Sequence, residues 1–450
     1  MKLENFIGKT VLLFGKSRAF SSSEFLAQMK THNIEVVSEY RDDISIFIEG
    51  RMMTPYEQIE SEKLYEKSVG EFVSIDELEH MLADTIDEDT LLMSLKLSHN
   101  KERVKSFIQN AMISDTLFLK LLKLYTWGGE DFFENDDNRD VTAALIRRFY
   151  KDIEQNHNVE YATLGLMHLV VQCRDSKLIE AIVSLEPLQK SLKSESRDSK
   201  FSIVTAIATH RYSSKSVIAM LIKNANPYVK TLIAMRENSD YHLQNRLFND
   251  GNEDVLEALS YNATLDKRIV KSLFKENKYR KNLAKYIELD DEVFEMFFPQ
   301  YATELAQNES LTYELQKRLV ALHTESVRLA LASNPHIEER FINELVSEGS
   351  MDVSFAIYEN ESTPQQTLEE AYDNRLNHFA LAHNKNTPIK ILKLLSESAD
   401  SKVLEGLAKN ESTPVDVLYQ LQLDRRFERF VKENPTFSQH IKSENLGWLM

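Results

Sequence analysis

Between Ser326 and Leu421 small and apolar positions return in one recurring phrase. The copies are VRLALASNPHIEERFINEL, VSFAIYENESTPQQTLEEAY, NHFALAHNKNTPIKILKLL and VLEGLAKNESTPVDVLYQL. Each leads through small residues to an Asn, turns a polar corner, and continues as an apolar run. The Asn residues are Asn334, Asn360, Asn384 and Asn410, so the period is about 24–26 residues, the signature of a repeat architecture. Asn238, Asn262, Asn308 and Asn434 hold the same place in further copies, with His210 and Tyr286 substituting at two more. Ala or Gly stands four residues before this column (Ala330, Ala380, Gly406) and Ala two before it (Ala306, Ala332, Ala408), so neighbouring backbones can approach closely. Apolar residues lie eight and eleven positions after it, as in Leu392 and Leu395. That offset of three puts both on one helix face. A unit of this length cannot bury its apolar face alone, so the copies are expected to stack.

The corner has its own chemistry. Thr363, Thr387 and Thr413 precede Pro364, Pro388 and Pro414, which predicts a Thr N-cap with Pro at the first helical position. The column Asn is expected either to cap the preceding helix in the left-handed conformation or to bond across the turn. Asn262, Asn308, Asn360 and Asn410 also open Asn-x-Ser/Thr triplets. The repeat corner demands both residue types, so these are read as corner residues and not as glycosylation acceptors.

The first 85 or so residues have a different rhythm. Thr10 to Phe14, Ile34 to Val37, Ile44 to Ile48 and Phe72 to Ile75 read as strands. Helices are expected over Ser21 to Asn33, from Thr54-Pro55 to about Ser68, and through Leu82, with Ser74 and Glu77 as a capping box. The order βαββαβα predicts a small α/β module with a mainly parallel sheet. From about 86 to 200 the pattern is helical without a clean period, broken by an acidic loop from Gly128-Gly129 to Asp140. Leu95 to Asn100 reads as a stray copy of the repeat phrase. His168 is read as a packed or surface helix residue, and Cys173 as a small buried apolar one.

Three resemblances follow from these residues. Phe6-x-Gly8-Lys9, Gly15 and the ending from Ser74 to Leu78 make the first module resemble a BRCT domain. Asn33-Ile34 replaces the usual Gly-Gly before the second strand, and the Trp of the last helix is missing. Phosphopeptide-binding members carry Ser or Thr before the glycine after the first strand, where this chain has Phe14; Gly15 and a second-helix Lys, Lys63, match. Gly15, Lys16, Ser21 and Lys63 are therefore the candidate anion or partner contacts, with the Ser21 helix start offering N–H groups. The A-L-A-x-N-x-x-T-P-x-x-x-L phrase resembles the bacterial leucine-rich repeat variant, which implies alternating α- and short 3₁₀-helices. The irregular middle resembles HEAT-like hairpins. Some leucine-rich repeat variant proteins hold a cysteine-ligated iron–sulfur cluster, but Cys173 is the only cysteine here, so no cofactor is expected.

The expected fold is mostly α: a right-handed α-solenoid of 24–26-residue repeats behind a small N-terminal α/β domain. Its divisions are a BRCT-like domain at 1–85, irregular helical repeats at 86–200 and the regular array at 201–450. Composition agrees, with 11 Gly in 450 residues and 28% charged side chains. A membrane is not expected as a partner, since no run approaches the length of a spanning helix. With no secretory leader pattern either, a cytoplasmic location is expected. No phosphate-binding glycine loop, zinc-protease motif or nucleophile elbow occurs, so an enzyme is not expected.

A net charge of −17 opposes a general nucleic-acid surface. One stretch runs against it: Lys267, Arg268, Lys271, Lys275, Lys278, Arg280 and Lys281. Its lysines recur at helical steps, forming a candidate basic ridge. The function expected is a non-enzymatic scaffold that binds protein partners through its head module and its repeat arm. The alternative is a DNA repair or maintenance factor that uses the basic ridge.

Overall fold

The computed structural model describes residues 2–129, 131–194, 198–237, 239–348 and 350–443. The protein is mostly helical, with one four-stranded parallel sheet near its N-terminus. It divides into two compact units, residues 1–233 and 234–450.

In the first unit, β1 (Thr10–Phe14), β2 (Glu35–Val37), β3 (Ile46–Glu49) and β4 (Glu71–Ser74) lie in the order β2-β1-β3-β4. Every pairing is parallel. β1 is central, and its Val11, Leu12 and Phe14 are buried with Ile46, Phe47 and Ile48 of β3, as expected of strands covered on both faces. Helices α1 (Ser22–Thr31), α2 (Pro55–Glu66) and α3 (Ile75–Asp84) pack on β2, β1 and β4 respectively. Thr54 and Glu57 form a reciprocal capping box, and Ser74 accepts from the Asp76 N–H.

The remainder of this unit is helical and begins with α4 (Glu88–Ser98), α5 (Lys101–Gln109), α6 (Asp115–Leu124) and α7 (Asp136–Phe149). The acidic loop is shorter than expected, because Asn135 caps α7. The buried Asn138 side chain gathers that loop, donating to the Gly128 and Asp131 carbonyls at 2.6 and 2.8 Å. The stray repeat phrase at Leu95 to Asn100 is the end of α4. His99 there is left-handed, and Asn100 caps α5 through the Arg103 N–H.

In the second unit the helices ending at each column position pack on one another in sequence, from Glu253–Ser260 through Asn277–Tyr286, Ala302–Ala306, Glu325–Ala332, Met351–Glu359, His378–His383 and Ser401–Lys409 to Glu428–Glu433. The apolar positions of the second helices, Val270, Phe294, Ile342, Leu368, Leu392 and Leu418, are all buried. Both helices of each copy are α-helical. Among the described residues of this unit, the 3₁₀ segment is Arg375–Asn377.

What ties copy to copy is the column amide. Asn360 Nδ2 donates to the carbonyls of Ala332 and Asn334 at 2.7 and 2.8 Å, and its Oδ1 accepts the Ser362 N–H at 2.9 Å. Asn384 repeats this on Tyr358 and Asn360, Asn410 on Ala382 and Asn384, and Asn434 on Ala408 and Asn410. Asn334 donates to Ala306 and Asn308. The carbonyls at a helix C-terminus have no partner within the helix. Each amide therefore satisfies two carbonyls at the end of the preceding copy's helix.

The corner differs from expectation in two respects. Asn360, Asn384, Asn410 and Asn434 are in extended conformation (Asn360 φ −71°, ψ 126°), not left-handed, while the bond across the turn is present. The corner threonines do not cap the following helix. Thr387 and Thr413 each donate to a carbonyl six residues back, Leu381 and Leu407, both at 2.7 Å. Thr363 bonds Ile357 in the same way. The prolines stand one residue before the helices, extended, because the Thr hydroxyl closes the previous helix instead of opening the next.

These contacts set measurable costs. Asn360→Ala leaves the Ala332 carbonyl and the Ser362 N–H without the partner that the amide supplied, at about 1–3 kcal/mol for each group, and the Asn334 carbonyl keeps only the Ile337 N–H. Leu392→Ala should cost about 2–5 kcal/mol as a large-to-small change in a packed core. Urea denaturation should show both midpoints well below the parent's. An Asn360→Ala midpoint equal to the parent's would show that the ladder contributes nothing.

Candidate functional site

Asn262, Asn308, Asn334, Asn360, Asn384, Asn410 and Asn434 are all buried. Asn238 lies outside the described residues. Asn262 donates to Ala234 and Arg236, the pair two residues apart that later amides use, so Arg236 occupies the column at that rung. At the next position Tyr286 has no amide, and other groups bridge the copies. The Glu288 N–H donates to Ala263 O at 2.9 Å, and Asn282 Nδ2 to Ser260 Oγ at 3.1 Å. Asn308 then reaches Ala284 and Ile287. In the Asn-x-Ser/Thr triplets the amide is enclosed by this bonding, so the corner reading accounts for them.

Two linkers escape the sequence pattern. Gln244 and Gln316 stand at the otherwise apolar position eight residues past the column, and both are buried. Gln316 donates to Leu311 and His336 carbonyls and accepts the Glu338 N–H at 3.0 Å. Gln244 does the same with Ser239, Thr264 and Asp266. A lone Gln in an apolar column was the available signal.

At the candidate anion or partner contacts of the turn after β1, backbone donors meet groups of the same chain. Gly15 has φ +74°, and a Cβ there would lie 2.5 Å from the Arg51 carbonyl oxygen. Its N–H donates to Glu57 Oε1 at 3.0 Å. The Lys16 N–H donates to Arg51 O at 2.7 Å. Beyond it, the N–H groups of Arg18 and Ala19 and the Ser17 hydroxyl converge at 2.7–3.0 Å on Glu79, which is fully buried. Ser21 caps α1 through the Glu24 N–H, and Lys63 sits exposed in the last turn of α2. The backbone donors of Gly15 and Lys16 are thus engaged within the chain. Thr-x-x-Glu at residues 54–57 was a legible capping box, and Glu79 is a charged residue on the apolar face of Ile75, Leu78 and Leu82.

The basic run is not one ridge. Lys267, Arg268 and Lys271 lie on the Lys267–Leu273 helix, whereas Lys278, Arg280 and Lys281 lie on Asn277–Tyr286, with Lys275 between. Most of its cations face carboxylates of adjoining helices. Lys271 meets Glu292 at 2.6 Å, Lys278 meets Glu253 at 3.0 Å, Lys281 meets Glu304 at 3.2 Å, and Lys267 pairs with Asp290. Arg268 pairs with Asp266 at 2.8 Å, and Arg280 donates to Phe274 O and lies over that ring. The Glu253 carboxylate, and after it Tyr279, hold the Lys278 ammonium above the ordinary lysine value. Lys275 is exposed.

His168 is stacked on Tyr150. Cys173 is buried, and that burial pushes its thiol up. A cleft of about 580 Å³ opens in the first unit between the end of α5, the start of α6, α7 and the turn after β1. Arg18, Asn110, Arg147, Arg148 and Tyr161 line it. Scattered over some 140 residues of sequence, this group had no legible spacing. Among the described residues no helix is long and apolar enough to cross a membrane.

No family model matches the chain, and neither a curated protein nor a solved structure matches it.

The turn after β1 has a definite acid response. Backbone bonds from Thr54 and then Gly15 hold the Glu57 carboxyl below its ordinary value. A lowered folded value means that its stabilisation is present above the usual carboxylate range and lost as the pH falls through the folded value. Glu57→Gln should therefore unfold at lower urea than the parent near about pH 7, and the two should converge near about pH 3. An identical difference at both pH values would show that the charge is irrelevant to the turn.

Proposed function

We propose that the chain is a non-enzymatic cytoplasmic scaffold, its repeats forming a right-handed solenoid arm and its N-terminal α/β module a BRCT-like head, both engaging protein partners. The asparagine ladder carries this reading. It satisfies the helix ends between copies through buried amides and carbonyls, so that outward side chains are not needed for that task. A periodic surface of that kind suits an extended protein ligand. The parallel sheet and its three packed helices support the likeness of the head to BRCT modules, and the repeat phrase supports the likeness of the arm to leucine-rich repeat variants.

The competing reading, a nucleic-acid-associated repair or maintenance factor, relies on the basic run. Its lysines face carboxylates from neighbouring copies, which would have to be displaced before a phosphate backbone could be neutralised. The two readings separate by experiment. The purified chain should give no retardation of DNA or RNA at low salt. Affinity capture from the native cell should return the same partners with and without nuclease, and the same partners for the triple substitution of Lys271, Lys275 and Lys278 to Glu. Partners lost on nuclease treatment, or retardation abolished by that substitution, would establish the nucleic-acid reading instead.

A further inference from the structure

The cleft beside α7 combines features that the repeat array does not use. Asn110 is 1% exposed, and its Oδ1 accepts the Met112 N–H at 2.8 Å. That bond decides which end of the amide is oxygen, because the reverse placement would set N–H against N–H. Its Nδ2 has no acceptor among the described residues. A buried donor without a partner is costly, and is expected where a ligand supplies the acceptor.

Three guanidinium groups line the same cleft. Arg147 is held through Nε and Nη2 by Glu160 and by the Tyr161 hydroxyl, the latter at 2.8 Å. Arg148 is held through Nε by Asp115 at 2.6 Å and through Nη2 by Ile113 O, and its guanidinium lies over the Phe118 ring. Both are thereby fixed, with the Nη1 edge of each unengaged among the described residues. The third, Arg18, is more than half exposed, and its nearest carboxylate is Asp76 at 3.6 Å. Asp115 and Asp140 also line the cleft. Of these, Asp115 already accepts from Arg148, and Asp140 lies 3.9 Å from the Lys105 ammonium.

We propose that this cleft binds a small phosphorylated molecule through its phosphate group. The donors come from three places: the turn after β1, the residue following α5, and α7. A tetrahedral oxyanion accepts from several directions, whereas a carboxylate is matched by one coplanar fork. Phe118, Ile108 and Tyr161 supply apolar wall for the rest of the ligand, and the volume falls in the range of small-molecule sites. The turn after β1 contributes the Arg18 guanidinium alone, because its backbone N–H groups are engaged within the chain.

Calorimetric titration of the full chain with inorganic phosphate, ribose 5-phosphate and succinate tests the proposal. Both phosphates should bind, ribose 5-phosphate the more tightly, and succinate should not. Arg18→Gln, an exposed change, should weaken phosphate binding about tenfold, the loss of one charge-assisted bond. Asn110→Asp keeps the acceptor for Met112 but replaces the free amide donor with a carboxylate, and should abolish binding. Should Asn110→Asp fail to fold, Arg18→Gln still decides the matter. Absence of heat with both phosphates overturns the proposal, as does equal binding of succinate or phosphate binding indifferent to Arg18→Gln. Inorganic phosphate binding more tightly than the sugar phosphate would overturn the small-ester ligand.

Discussion

An asparagine side chain offers two N–H donors and one carbonyl acceptor on a stem too short to bend away, and the second unit depends on that combination. Where the column is Asn, the amide of one copy meets two carbonyls of the copy before it, one at the end of the helix and the column carbonyl itself, which also accepts a backbone N–H from its own corner. Aspartate would keep the acceptor and lose both donors. Leucine would fill the space and satisfy nothing. The alanines and glycine around the column follow from the same requirement, since an amide spans the gap only if the helices are close. Gly406 shows how close: a Cβ there would stand 2.7 Å from the His383 ring.

Periodicity made the column, the small positions and the apolar face legible, because each recurs at a constant offset and burial follows offset. The direction of the bonds was not legible. Thr-Pro reads as a helix start, yet in Thr363, Thr387 and Thr413 the hydroxyl turns back to the helix behind it. A hydroxyl can donate as well as accept, and sequence alone does not say which neighbour lacks a partner. That Asn262 bonds the Ala234 and Arg236 carbonyls was not marked by residue type. In the N-terminal module β1 was readable to the residue, being a β-branched and apolar run ended by a glycine. The cleft arginines come from separate elements, so no local spacing marks them.

Charge follows one rule in both units. The chain is strongly acidic, and most of its apparent basic features face carboxylates of the same chain. Glu57 and Glu79 occupy the donors of the turn after β1, and Glu253, Glu292 and Glu304 face the lysines of the basic run. Exposed pairs of this kind add little stability. Their effect is to cancel the local field, so a cluster of Lys and Arg in sequence does not translate into a positive surface.

The amide ladder also has a polarity. Every rung donates toward the N-terminal side and accepts only from its own corner, so a copy relies on its predecessor for acceptors while its successor relies on it. At the Asn434 copy the Lys432 carbonyl, in the place that Ala408 holds one copy earlier, is met by the Ser438 hydroxyl of the same copy. A nearby hydroxyl can thus close the acceptor end of the stack. The donor end is different, because a buried amide deprived of the copy before it has nothing to turn to. Removing the copy after a rung therefore frees carbonyls that a local hydroxyl can meet, whereas removing the copy before it strands a buried donor.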